Sequence, residues 1–300
     1  MDRLASMTVF VAVAQAGSLS AAGRKLGMPL ATVSRRLSDL EAHLQARLLS
    51  RSTRQLALTD AGRGYLAACQ RILQDVDDAQ RAASGEYSAP KGELVIAAPI
   101  VFGRLHVLPV VTAFLEAYPQ VDVRLVQGDR VANLLEDHID LAVRIGELPD
   151  SSLSAARVGT IQRVVCASPA YLAKRGVPRE PGELGAHRCV TFDALMSPHT
   201  WSFRAGGAEL PVAVHSRLVV NTAEAAVNAA IAGVGLTRVL SYQIEPATRA
   251  GSLVVVLREF EPPAIPVSLV YSRQGQLPLK LRAFLDFAAQ RLRERLPAQA

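Results

Sequence analysis

The spacing of apolar positions changes once along the chain. Up to about residue 83 they recur every three or four residues, and from residue 92 short Val- and Ile-rich runs alternate with helical stretches. Leu4, Met7, Phe10, Val11 and Ala14 form one face of a first helix that ends at Gly17. Ser18 is placed to cap a second helix over Leu19 to Leu26, with Leu19, Ala22 and Leu26 turned inward. Gly27 permits a reversal, and Pro29 suits the first turn of a third helix, where its missing N–H would have no partner. That helix is predicted to bury Val33, Leu37, Leu40 and Leu44. In ARLLSRSTRQLALTDAG the alternation of Gln55, Leu56, Ala57 and Leu58 predicts a small hairpin, or wing, with Leu56 and Leu58 inward. Thr59 then caps a helix from Asp60 to about Ala83, with Tyr65, Leu66, Cys69, Ile72, Leu73 and Val76 in one stripe. The stripe is long for a lone surface helix. It either pairs with a second copy of the chain or packs on its own wing.

Past SGEYSAPKG, a hinge bearing Ser, Gly and Pro, the pattern predicts a strand at Glu93 to Pro99, a helix around Leu105 to Tyr118 and a strand at Val121 to Gln127. A short helix over Val131 to Glu136 and a strand over Ile139 to Ile145 follow. A second unit begins near Arg163 with the strand VVCAS, a helix starting at Pro169, a strand at Ser216 to Val220 and an Ala-rich helix capped by Thr222. Gly233 and Gly235 allow a tight connection. A strand at Val267 to Tyr271 returns to the first unit before a terminal helix over Leu279 to Leu292. The expected organisation is 1–59, a linker helix 60–84, a hinge 85–91 and an α/β region 92–300, the last with lobe I at 92–162 and 267–300 and lobe II at 163–266. Two crossings between the lobes would leave a cleft.

Charge sharpens the reading of the first part. The chain has 33 basic and 27 acidic residues, a mild excess that permits an anionic partner. From Arg24 to Arg63, however, eight basic residues face only three acidic ones. On a helical wheel Arg35 lies almost opposite Val33, with Ala31 and Thr32 toward the same outer side, Ser34 lateral and Arg36 nearer the buried flank. Two helices joined by a turn of three or four residues present the second to the DNA major groove. Arg35 then reads a guanine edge or binds phosphate, while Ser34 and Thr32 suit backbone-positioning donors, one of them reading a base. Arg47, Arg51 and Arg54 would approach phosphates from the wing. The competing reading is a helical bundle with a solvated basic face.

The ordered residues Ser18-Leu19-Ser20-x-Ala22-Gly23-x-x-Leu26, Val33-Ser34-x-x-Leu37-x-x-Leu40-Glu41-x-x-Leu44, Leu48-Leu49-x-Arg51 and Leu58-Thr59-x-Ala61-Gly62 resemble the N-terminal region of LysR-type transcriptional regulators. Departures from the family pattern are Gly23, Pro29, Leu30, Ala46 and Leu49. Leu30 at the front of the third helix has a thymine methyl as a candidate neighbour. The remainder resembles the family's regulatory domain, which has the type 2 periplasmic-binding-protein fold. The resemblance thus implies a winged helix-turn-helix domain, a long linker helix and a two-lobed α/β regulatory domain. Its implied partners are promoter DNA, a small effector between the lobes, further copies of the chain as dimer and tetramer, and RNA polymerase.

Carried over to this sequence, the resemblance places Pro99, Ile100, Val101 and Phe102 after the first strand of the regulatory domain, where backbone amides face an anion. It places Arg144, Ile145, Phe192, Trp201 and Thr222 across the cleft. Arg144 is the preferred charged contact, against a surface or inter-lobe salt bridge. Phe102, Phe192 and Trp201 serve as core or as pocket.

Other classes lack their residues. Cys69, Cys166 and Cys189 are an odd number without C-x-x-C spacing, so neither a disulfide framework nor a zinc cluster is suggested, and a reducing cytoplasm fits. His187, His199 and His215 lack metal-ligand spacing. Gly233-x-Gly235 is not followed by a full dinucleotide fingerprint. No G-x-S-x-G, P-loop or H-E-x-x-H occurs, so neither an enzyme nor a cofactor is expected. MTVFVAVAQAG follows Asp2 and Arg3 and lacks the basic start of a secretory signal. No membrane span is expected, since no apolar stretch approaches the ~20 residues needed. A solute-binding carrier is the structural rival, disfavoured by the attached basic helices.

Overall fold

A computed structural model describes residues 2–51, 56–83, 89–130, 133–134, 136–149, 153–192, 199–272 and 277–296. The chain divides into two compact units, Met1–Ala89 and Pro90–Ala300.

The first unit contains α1 (Arg3–Ala16), α2 (Leu19–Leu26), α3 (Leu30–Leu44), β1 (Leu49–Arg51), β2 (Leu56–Leu58) and α4 (Asp60–Ala83). Its caps follow from the residue types. Asp2 accepts the N–H of Ala5 and Ser18 that of Ala21, while Gly17 and Gly27 end their helices with φ of 62°. Pro29 stands just before α3 rather than inside its first turn, and its carbonyl accepts the N–H groups of Thr32 and Val33. Val9, Phe10, Val13, Ala22, Val33, Leu37, Leu40, Leu48 and Cys69 close one core.

Helix α4 is anchored at its front. The front of its stripe is already used: Cys69 is fully buried, and the Tyr65 ring lies 5.7 Å from that of Phe10 on α1. The front of the helix therefore packs into the first unit's own core. Its first turn also sits against the start of the wing, where a Cβ on Gly62 would come within 2.0 Å of the Leu48 carbonyl oxygen. Only glycine permits that approach.

The second unit holds two five-stranded sheets. The lobe I sheet combines β3 (Gly92–Ala98), β4 (Val121–Gln127), β5 (Leu141–Ile145), β6 (Leu153–Ile161) and β14 (Ile265–Ser272) in the order β4-β3-β5-β14-β6. Its first three strands are parallel, and β14 runs antiparallel to β5 and β6. Between β3 and β4 the chain forms α5 (Ile100–Phe102), a π turn (Gly103–Val107) and α6 (Leu108–Ala117). Helix formation thus begins five residues before the expected Leu105, because Pro99 supplies a helix start and Val101 and Phe102 have a core to enter. This run, Ile100–Ala117, has the length and mean hydropathy (1.6) of a membrane span, contrary to the expectation that none would approach it. Here Val101, Phe102, Val107, Val110, Val111 and Phe114 pack in the core of lobe I. The closing helix α10 (Leu279–Arg295) joins them, with the Phe114 and Phe284 rings 5.0 Å apart edge to face.

The lobe II sheet has the order β11-β8-β12-β7-β13, built from β7 (Arg163–Ala167), β8 (Cys189–Phe192), β11 (Ser216–Val220), β12 (Leu236–Leu240) and β13 (Val254–Val256). Helices α8 (Ala223–Ile231) and α9 (Ser241–Arg249) pack one of its cores, around Val164, Cys166, Val190 and Val239. The other holds α7 (Pro169–Arg175) and the hairpin of β9 (Thr200–Ala205) with β10 (Ala208–Ala213). The chain crosses from β6 to β7 at Gln162 and returns into β14 at Ile265, two residues before the expected boundary.

Other departures are local. The strand expected from Ile139 starts at Leu141, because Asp140 turns its carboxylate onto the N–H of Val95 at 2.8 Å. Of the short helix expected at Val131 to Glu136, residues Val131, Ala132 and Leu135 lie outside the described residues, whereas Leu134 and Glu136 sit in turns. Much of the hinge predicted at 85–91, residues 85–88, also lies outside them.

Candidate DNA-contacting face and ligand cleft

The outer side of α3 is built by exclusion. Val33, Leu37 and Leu40 are fully buried, which turns Ala31 and Arg35 into solvent and leaves Thr32, Ser34 and Arg36 at the margins. Leu30 is half exposed at the front of the helix. Glu41, an acidic residue of the basic stretch and part of the family pattern, fixes the neighbouring wing. Glu41 Oε1 accepts the N–H groups of Leu48 at 2.8 Å and Leu49 at 3.1 Å, so the end of α3 holds the start of β1. Thr59 closes the other side, its hydroxyl donating to the Arg47 carbonyl at 2.7 Å and accepting the Gly62 N–H at 2.9 Å. Arg51 pairs with Leu56 in the wing ladder, and Arg54 lies outside the described residues.

In the second unit a cavity of about 500 Å³ opens between the lobes. Lobe I contributes Pro99, Asp129, Arg130, Asp137, Arg144 and Ile145 among others, and lobe II Arg163, Phe192, Ala223, Leu240, Tyr242 and Gln243. Four of the nine residues expected at the cleft therefore line it: Pro99, Arg144, Ile145 and Phe192. The others do not. Val101 and Phe102 are buried in the core of lobe I, and the Phe102 ring contacts His106 and Tyr242. Trp201 is 1% exposed inside lobe II, where its Nε1 has no partner. The Ile100 N–H donates to Asp129 Oδ1 at 3.1 Å, and the Thr222 hydroxyl caps α8 by accepting the Ala225 N–H. The amide expected to face an anion at Ile100 thus already has a carboxylate partner.

Arg163 was missed. It is the first residue of β7, opposite Leu240, and one step along the same sheet face stands Arg238, opposite Val165. Burial holds the Arg163 guanidinium below the ordinary arginine range. Arg238, only 4% exposed, is pushed down to about 10 by burial and by Arg163. Its guanidinium donates to the Ser202 carbonyl and lies 5.2 Å from the centre of the Phe203 ring. Arg144 is also lowered by burial. The lobe II side of the cleft therefore presents a cation, Arg163, with Arg238 next to it in the sheet.

Two family matches identify these parts. Residues 4–63 match the bacterial regulatory helix-turn-helix protein, lysR family, and residues 88–293 match the LysR substrate binding domain. The chain belongs to the LysR family of transcriptional regulators. This LysR chain is 36% identical over 289 residues to an HTH-type transcriptional repressor of Pseudomonas aeruginosa, covering 96% of this chain and 91% of that one. It is 32% identical over 286 residues to the HTH-type transcriptional activator AaeR of Escherichia coli, covering 95% and 93%. The structure of CrgA, a LysR-type regulator from Neisseria meningitidis, superposes with a TM-score of 0.62 at 32% identity over 96% of this chain and 98% of CrgA. The expected architecture of a DNA-binding helix-turn-helix and an effector-binding domain is thereby shown.

Proposed function

We propose that this LysR chain is a cytoplasmic, non-enzymatic regulator that engages promoter DNA through α3 and the wing and changes that engagement when a small effector enters the inter-lobe cleft. On this reading Leu30, Ala31, Thr32, Ser34, Arg35 and Arg36 face the major groove while Arg51 and Arg54 meet phosphates. Copies pair through the remaining stripe of α4, regulatory domains join pairs into a tetramer, and the bound assembly acts on RNA polymerase. The observation that carries the reading is the exposed Arg35 on a helix whose opposite side is fully buried, beside a wing held by Glu41. Among the cleft residues, Pro99, Arg144, Ile145 and Phe192 support the effector half because they line the cavity.

The test begins with sites selected from genomic fragments by the purified chain. Arg35→Ala is expected to weaken a selected site by about 1–3 kcal/mol in gel-shift titration at fixed salt, with losses that vary among base-substituted sites. Undiminished binding would remove α3 as the reading helix, and equal losses at all sites would leave Arg35 a phosphate contact.

A further inference from the structure

We propose that the cleft ligand is a monoanion, a carboxylate on an apolar body, and that Arg163 is the residue that selects its charge. The proposal rests on the cleft being the effector site. Arg163 lines the cavity and has no hydrogen-bond or acidic partner among the described residues. Arg238 beside it already has its own partners, the Ser202 carbonyl and the Phe203 ring, and adds positive potential. A half-buried guanidinium beside a second one is costly unless a negative group completes it. A carboxylate matches the planar fork of Arg with two parallel hydrogen bonds.

The charges of the whole lining set the upper limit: Arg130, Arg144 and Arg163 stand against Asp129 and Asp137, a net +1 that one carboxylate balances. Asp129 and Asp137 line the same cavity, and both are held in place by backbone N–H groups, those of Ile100 at 3.1 Å and Asn133 at 2.9 Å. A second negative charge on the ligand would exceed that balance and meet these carboxylates in a partly desolvated space. Between the charged ends the walls are apolar, with Ala98, Val126, Ala142, Ile145, Phe192, Val239 and Leu240. They suit a hydrocarbon body and offer little to a sugar or a nucleotide.

The experiment uses the full chain and paired probes: benzoate with benzamide, hexanoate with hexanamide, and phenyl phosphate as the dianion. At about 10 mM the carboxylates are expected to raise the melting temperature of the regulatory unit by about 3 °C, and the amides and the phosphate by less than a third of that. Arg163→Gln should abolish the carboxylate shift. Arg163→Lys should retain the preference for acids at least tenfold more weakly, since a point charge replaces the fork. Without any probe, Arg163→Gln should itself raise the melting temperature, because an uncompensated cation is removed; a fall would mark Arg163 as a structural cation and overturn the proposal. Equal shifts by acids and amides, unaffected by Arg163→Gln, would also overturn it while leaving the cleft as a ligand site. If no probe shifts the melting temperature, the charge assignment falls, and recovery of specific DNA fragments by the same preparation decides separately whether the regulator reading stands.

Discussion

His106 shows what burial does to a single titratable ring. It lies in the π turn of lobe I, its ring centre 4.7 Å from that of Phe102 and 5.5 Å from that of Tyr242, and its buried Nε2 has no hydrogen-bond partner. Burial, assisted by Arg295 and opposed by Glu245, lowers its pKa below the ordinary 6.5. The sign of the pH effect follows. Above pH 6.5 neither folded nor unfolded chain holds the proton; as pH falls through 6.5 the unfolded chain binds it first, and folding stability declines toward the lower, folded pKa. His106→Phe keeps an aromatic ring in the stack and removes the titration. The regulatory unit of this variant should therefore lose less stability than the parent between about pH 7 and pH 5, followed by thermal melting. Parallel curves would show that the imidazole takes its proton as readily inside the fold as outside it.

At the scale of elements, α4 divides into two parts with different surroundings. Tyr65, Leu66 and Cys69 are taken up by the first unit's own core, whereas Ile72, Leu73 and Val76 lie beyond that core and are half-buried. A buried charge is costly at a helix-helix seam, so Val76→Glu should weaken self-association at least tenfold in sedimentation equilibrium while leaving the melting of the first unit unchanged. Association equal to that of the parent would place the pairing surface elsewhere. The helices of the first unit were legible because each is half-exposed and its 3.6-residue period survives in the sequence, which is also why Arg35 could be placed opposite Val33. Lobe II was harder to read. Strands β8 and β12 are buried nearly throughout and lose the two-residue alternation, and α9 carries Pro246 inside it, which masks its helical pattern. The β9–β10 hairpin does carry a signal, Gly206-Gly207 between two apolar runs. The cleft was half legible for a related reason. Sequence shows that Arg163 and Arg144 occur near strands, but the side of the sheet that meets the other lobe is decided by packing, which also drew Phe102 and Trp201 into cores.

Across the whole regulatory unit, two lobes have few ways to hold a fixed angle. The chain crosses at Gln162, which is tied to α9 by reciprocal bonds with Ser241 at 2.8 and 3.3 Å, and crosses back before Ile265. Arg104 of lobe I also meets Glu224 of lobe II at 2.7 Å, but both side chains are about half exposed and such a pair contributes roughly 0–1 kcal/mol. Tyr242 is the stronger link. It belongs to α9 of lobe II, yet its ring packs in the core of lobe I, edge to face with Phe102 at 5.3 Å, while also lining the cleft. A ligand can control output only by favouring one lobe arrangement over another, and a ring shared by both lobes and the cavity is placed to report its presence. Tyr242→Ala should cost about 3–5 kcal/mol in urea unfolding, as for other buried aromatic truncations. Its distinguishing effect is spatial: amide exchange should accelerate in both 100–107 and 241–249, with the α10 core still protected. Tyr242→Phe should stay near the parent, since the hydroxyl's contact with Gln243 is a long 3.4 Å. Acceleration confined to 241–249 would show that the ring steadies only its own helix, and the coupling of the lobes would then fall to their two crossings and the Arg104–Glu224 pair.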